Sequence, residues 1–141
     1  MPDIKTVLGF DFGSKYIGVA VACTSPTMAQ PLASLTSSKG RPPWEEIAIL
    51  LKTWSPDALV VGIPLNMDGT DQAITQSARY FLENLKQRFR LPVFSVDERL
   101  TTVEARARLF SLGGYKALKK KAIDSVSAQL ILETWLDTHY E

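Results

Sequence analysis

The chain has one cysteine, Cys23, and one histidine, His139, and each scarcity removes a class of chemistry. A single thiol cannot close an internal disulfide or build a cysteine metal cluster, so Cys23 reads as a small buried apolar residue. A lone histidine almost at the C-terminus is a poor candidate for imidazole acid–base catalysis. Long hydrophobic runs are also missing. The most apolar stretches, Ile17 to Cys23 and Ala58 to Ile63, fall far short of the roughly 20 residues that cross a bilayer. The start, MPDIKTVLGFDFG, enters a strand-like pattern at once and lacks the apolar region and cleavage site of a signal peptide, so a cytoplasmic location is expected.

What is there suits one soluble globular domain spanning 1–141. Its 141 residues are enough for one core, and 45% hydrophobic and 22% charged residues are ordinary values. The net charge of +1 hides an asymmetry. Between Lys86 and Lys121 stand ten basic residues against Asp97, Glu98 and Glu104, while the remainder carries six basic and twelve acidic ones. Such a stretch suits a polyanion, because Lys and Arg release counterions when they neutralise phosphates. It equally suits solvated helix faces.

The pattern along the chain alternates in type. Val7 to Asp11 and Tyr16 to Cys23 are rich in Val, Ile and Phe around Gly13-Ser14-Lys15, which predicts a hairpin. Pro26 and Pro31 interrupt the next segment, leaving Pro31 to Thr36 as a short third strand. After Pro42-Pro43, the residues Trp44, Ile47, Ala48, Leu51 and Trp54 recur on one helical face up to Pro56. Ala58 to Ile63 is a continuous apolar run, expected of a strand covered on both faces. Asn66 to Gly69 then forms a loop. A helix is expected from Asp71 to Phe89 with Thr70 as its N-cap, followed by a strand from Pro92 to Val96. Thr101-x-x-Glu104 fits a capping box for a helix from Thr102 that stops before Gly113-Gly114, and a last helix runs from about Lys119 to about His139. The order β-β-β-α-β-α-β-α-α implies an α/β fold with a mixed sheet, antiparallel then parallel, and helices on both faces.

Three acids occupy places where an apolar residue is the rule. Asp11 sits at the end of the first strand, inside GFDFGSKYIGVAVA, where a carboxylate lowers strand propensity and is costly to desolvate. Glu98 follows the strand that ends at Val96. Asp124 opens a row that continues through Ala128, Ile131 and Trp135, one buried helical face. If these acids converge, a divalent cation relieves their repulsion, and all-oxygen ligands select Mg²⁺ or Mn²⁺ over zinc. Singly, each acid is more often structural, in an ion pair or, for Asp124, at a favourable helix end; together with the Gly-rich turn after Asp11, the three favour a metal site.

Four segments in order resemble the YqgF family. They are Gly9 to Lys15 with Ile17 to Ala20, Val61 to Gly69, Asp97 to Thr102, and Asp124-x-x-Ser127-Ala128. The resemblance implies an RNase H-like fold with a five-stranded sheet, and a metal-dependent nuclease, described in that family both as a Holliday-junction resolvase and as an enzyme processing the 5′ end of pre-16S ribosomal RNA. It places the acidic site on Asp11, Glu98 and Asp124, with Asp11 shared between two Mg²⁺ (or Mn²⁺) ions. Hydrolysis would leave 5′-phosphate and 3′-hydroxyl ends. Lys15 and Arg99 are expected phosphate contacts, with Lys119, Lys120 and Lys121 further along the backbone. Junction resolvases of this fold often carry a fourth acid one helical turn after the last; here that position is Ser127. Asp97 adjoins Glu98, but neighbouring strand residues point to opposite faces.

Two other classes compete. Asp11-x-Gly13 after a strand also resembles the phosphate hairpin of actin-like ATPases, which bind nucleotide between two such domains, whereas this length supplies one and carries no Walker A pattern. A non-catalytic RNA-binding assembly factor would keep the acids as structure only and would tolerate Asp11→Asn. The partner expected in either nucleic-acid reading is precursor rRNA or branched DNA. A symmetric junction calls for a two-fold homodimer and an RNA end does not.

Overall fold

The computed structural model describes residues 4–39, 41–100 and 120–139, with the side chains of 100, 120–124 and 139 outside the described set. In chain order the elements are β1 (Thr6–Phe12), β2 (Tyr16–Thr24), β3 (Thr27–Thr36), α1 (Trp44–Trp54), β4 (Ala58–Ile63), α2 (Thr75–Phe89), β5 (Val93–Asp97), a 3₁₀ turn (Glu98–Leu100) and α3 (Lys120–His139). The expected helix from Thr102 lies outside the described residues. The strands form one sheet in the order β3-β2-β1-β4-β5. β1 pairs antiparallel with β2 and parallel with β4, and β4 pairs parallel with β5. This is the mixed α/β sheet expected from the element order.

Period-2 alternation sorts the strand residues onto two faces. Leu8, Phe10, Ile17, Val19, Leu59, Val61 and Ile63 pack with Ile47 of α1 and with Ala78, Phe81, Leu82 and Leu85 of α2. Val7, Ala20, Ala22, Ala58, Val60 and Val96 pack with Ala128, Ile131, Leu132 and Trp135 of α3. Every residue of β4 is buried because both faces are covered. The α3 side of the sheet is built from smaller residues, and this brings the helix close. A Cβ on Gly9 would stand 2.5 Å from Leu132 Cγ, and one on Gly62 would stand 2.4 Å from Ile131 Cδ1.

Two elements differ from expectation. β3 is ten residues long and passes through Pro31, which pairs with Ala20; it is an edge strand, where one side of the backbone needs no ladder donor. α2 begins at Thr75 rather than Asp71, and Thr70 is not its cap. Thr70 is held by Asp68, whose Oδ1 accepts from Thr70 N–H (3.0 Å) and Oγ1 (2.6 Å). Local side chain to backbone bonding of this kind competes with helix, and it wins over residues 66–72. Thr75 instead anchors the first turn: its Oγ1 accepts from Gln72 N–H (2.8 Å) and donates to Pro64 O. α1 ends as the sequence implies, with Ser55 in the left-handed region (φ 47°) just before Pro56. Among the described residues no helix is long and apolar enough to cross a membrane.

Candidate active site

Asp11 is the penultimate residue of β1. Alternation from Val7 and Gly9 places it on the α3 face, and its cross-strand neighbour on β2 is Gly18. On the other side of β1, Phe10 is level with Val61 of β4, so the next residue on, Gly62, is level with Asp11. Gly62 pairs in turn with Val96 of β5. Glu98 leaves β5 through the 3₁₀ turn and folds back over β4. Its Cδ lies 3.1 Å from the position a Gly62 Cβ would take. Parallel neighbours are about 4.8 Å apart. The Glu98 carboxyl therefore lies over β4, the strand next to β1, on the same sheet face as Asp11, and both residues are half-buried.

That geometry fits a divalent cation. Two carboxylates over neighbouring strands of one sheet face would repel in a partly desolvated position, and Mg²⁺ accepts oxygen ligands at about 2.0–2.1 Å. The missing side chain at residue 62 leaves room for the Glu98 carboxyl between β4 and α3. Among the described residues no group of three His, Cys, Asp or Glu side chains is assembled. Asp124, the third expected acid, lies in the first turns of α3 with its side chain outside the described residues. The row that it opens is buried as expected, with Ala128, Ile131 and Trp135 all in the α3 core. Its neighbour Ser125 is fully buried, and its Oγ accepts from Val19 N–H at 3.3 Å. Val19 follows Gly18, where the β2–β3 register slips. The start of α3 is thus pinned beside the Asp11–Gly18 pair.

Asp97 does not join this pair. It is level with Ile63, on the α1/α2 side of the sheet. The Arg99 guanidinium engages it through Nη2 (2.6 Å) and Nε (2.9 Å) to Oδ2, and Arg99 N–H donates to Oδ1 (2.9 Å). The Arg99 side-chain hydrogen bond holds the Asp97 carboxyl below the usual carboxylate range, against a smaller opposing effect of burial. Arg99 Nη1 also reaches Met67 O (3.4 Å). Gly69, at φ +89°, would bring a Cβ within 3.3 Å of that same Nη1, so glycine serves both the backbone and the approach of Arg99. Arg99 therefore ties the 66–69 loop to the exit of β5 beside Glu98. The loop is also stapled internally, with Asn66 N–H on Thr70 O (2.8 Å) and Gly69 N–H on Asn66 O (2.9 Å). Asp68 is held below the usual range chiefly by Thr70 Oγ1.

Of the basic residues expected to meet phosphate, Lys15 is exposed in the β1–β2 turn, at the same sheet end as Asp11. Lys119 lies outside the described residues, and Lys120 and Lys121 are the first residues of α3, their side chains outside the described set. Sequence reasoning missed three participants. Gly62 makes room for Glu98, Ser125 pins α3, and the Asp97–Arg99 fork fixes the loop. Only Gly62, inside Val61-Gly62-Ile63-Pro64, carried a local signal, a glycine within a fully apolar strand.

Known proteins share this fold. Residues 5–138 match the model of the RuvX family, described as a Holliday junction resolvase. The chain belongs to the RuvX family. This is the YqgF family of the sequence resemblance. A RuvX relative from Shewanella oneidensis is 55% identical over 136 residues, covering 96% of each chain, and is provisionally named a pre-16S rRNA nuclease. One from Aeromonas salmonicida, 54% identical over 96% of this chain and 97% of its own, carries the same name. In fold the chain is similar to Thermus thermophilus RuvC solved with a Holliday junction substrate (TM-score 0.59, 15% identity, 95% of this chain and 96% of that one). It is similar also to fowlpox virus resolvase with Holliday junction DNA (TM-score 0.60, 12% identity, 96% and 99%). The RuvX-family chain is accordingly a nuclease, a hydrolase of phosphodiester bonds with an RNase H-like fold.

Proposed function

We propose that residues 1–141 form one cytoplasmic nuclease domain that uses Mg²⁺ or Mn²⁺ to process the 5′ end of pre-16S rRNA. The observation that carries the reading is the Glu98 carboxyl turned back over Gly62 of β4, on the sheet face of Asp11 and one strand away from it. The names of the relatives, at 53–55% identity over nearly the whole chain, support the RNA substrate. Asp11, Glu98 and Asp124 are the residues that would hold metal. When bound there, divalent cations supply Lewis-acid stabilisation of phosphoryl charge and a nucleophile competent at neutral pH.

The chain's own residues do the rest. Asp11 and Glu98, fixed at strand ends, hold the reacting phosphate's surroundings in one geometry, which is where most of the rate in phosphoryl transfer originates. Lys15 contacts a neighbouring phosphate, and Lys119, Lys120 and Lys121 contact the backbone further out. Arg99, an expected phosphate contact, acts first through the 66–69 loop that it ties down, which forms one wall of the substrate groove. A second reading, cleavage of four-way DNA, is favoured by the description of the family and calls for a two-fold homodimer.

The deciding experiment is cleavage of a labelled RNA spanning the 16S 5′ precursor and of a four-way DNA junction, each with Mg²⁺, Mn²⁺ or EDTA. Metal-dependent cutting of the RNA, abolished in Asp11→Asn, is expected. Preferential cutting of the junction by a dimer would establish the second reading. Binding without cutting in any metal would sink the nuclease mechanism in favour of a non-catalytic assembly factor.

A further inference from the structure

A groove of about 950 Å³ opens on the sheet face opposite the carboxylates, between the start of α1 and the exposed side of α2. Its lining includes Phe12, Arg41, Trp44, Arg79, Tyr80 and Arg88. We infer that this groove binds a single-stranded segment of the RNA substrate beyond the point of cleavage.

Three features carry the inference. The first is flat aromatic surface in the open. Tyr80 is 74% exposed on the solvent side of α2. Trp44 is half-buried, lies nearly parallel to Phe81 (5.5 Å, 23°) and carries the Arg88 guanidinium 4.3 Å above its ring, so on that side the planar surface offered to solvent is the exposed guanidinium. Planar guanidinium and ring surfaces are what unpaired bases stack upon.

The second feature is charge. Three arginines line the groove against one acid, Glu83. Glu83 stands 3.7 Å from Lys86, and Arg79 is paired with Asp71 (2.7 Å). Arg41 lines the groove, and its backbone is fixed in a two-way bridge with Ser38 (2.9 and 3.1 Å). The balance is cationic and built from arginine, the side chain that both pairs with phosphate and stacks.

The third feature is continuity with the reaction centre. Phe12 forms part of the groove and packs on Phe81 (5.1 Å), and it is the residue after Asp11. Consecutive Cα atoms are about 3.8 Å apart. A strand held at Asp11 and Glu98 can therefore turn past the end of β1 and enter the groove on the other face. A duplex buries the faces of its bases and has nothing to offer these rings, so the occupant is single-stranded. That the strand is part of the substrate rests on the nuclease reading above; that the groove binds single-stranded RNA does not.

The test separates the two. Binding of a short labelled poly(U) RNA is measured by fluorescence anisotropy in EDTA for wild type, Tyr80→Ala, Arg41→Ala and the double variant, all at exposed positions that leave the core intact. The double variant is expected to bind about tenfold more weakly, with the slope of log K against log salt reduced by about 0.7 because one fewer phosphate is neutralised. In a second arm, wild type is expected to cut an RNA with a single-stranded flank better than one trimmed to the cleavage site, and the double variant to lose that preference. Unchanged poly(U) affinity and salt slope would overturn the inference. Equal weakening toward a poly-glutamate peptide would replace RNA with an acidic protein partner, and loss of self-association would make the groove an interface between copies. If wild type cuts no RNA but the binding results hold, the nuclease reading fails and the groove assignment stands.

Discussion

The two faces of the sheet are built for different purposes. On the α3 face the residues are small, with Gly9, Ala20, Ala22, Ala58 and Gly62 letting the helix sit close, and Asp11 and Glu98 placed at its edge. On the other face the packing residues are large, with Phe10 of β1 edge-to-face against Phe81 of α2, and Phe81 stacked on Trp44 of α1. Close packing on the first face brings α3 and the Glu98 carboxyl against β4. Aromatic packing on the second makes most of a thick core and leaves ring and arginine surface over for binding. The same strands serve both because successive residues point to opposite sides.

Substitutions that separate the faces sharpen this contrast. The largest effect is expected from Asp11→Asn, which should lower metal-dependent cleavage by several orders of magnitude while the melting temperature stays at or above that of wild type. A large fall in stability would instead make Asp11 a structural residue. On the opposite face, Phe81→Ala removes a ring that is 1% exposed and touches Phe10, Phe12 and Trp44. It should cost about 3–5 kcal/mol in urea unfolding, with residual activity per folded molecule retained.

Within the α3 face, Gly9→Ala and Gly62→Ala both force a methyl group into helix side chains, and each should cost about 1–3 kcal/mol. Only Gly62→Ala also crowds the Glu98 carboxyl, at 3.1 Å. Under conditions where both are fully folded, cleavage should fall in Gly62→Ala and hold in Gly9→Ala. Equal activity in the two would remove Gly62 from the site.

Arg99 offers a smaller effect with a qualitative readout. If it serves by tying the 66–69 loop to β5, Arg99→Lys should be about as impaired as Arg99→Ala, roughly ten- to a hundredfold in cleavage, because lysine cannot reproduce the two-pronged contact with Asp97. Substantial rescue by lysine would mark a simple phosphate contact. The smallest effect concerns acid. Arg99 depresses the Asp97 carboxyl in the folded state, so its stabilising contribution is present above the unfolded value and is lost as pH falls through the lower, folded one. Thermal melts against pH should show wild type losing its margin over Asp97→Asn only at the acid end, a change of about a few degrees at most.

Much of this molecule is legible in its residue order. Alternation within β1, the unbroken apolar run of β4 and the prolines around α1 each give their element directly, because strand period, two-sided burial and a fixed φ are local properties. The candidate acids are legible for the same reason, as charges in positions that local pattern reserves for apolar residues. The start of α2 was not, since the Asp68–Thr70 turn and the Thr75–Pro64 bond compete with helix only once the loop has closed. Nor was the length of β3, which depends on being an edge.

The sequence by itself determined the element types, the two-faced sheet and the oddly placed carboxylates at residues 11 and 98. Tertiary structure alone decided that Glu98 leans over Gly62 toward Asp11, that Ser125 pins α3 next to Gly18, and that Arg99 commits its guanidinium to Asp97. The reason is physical. Periodicity acts between neighbours in the chain, whereas register between β1, β4 and β5, and the room left by a glycine, exist only after distant segments have been packed against one another.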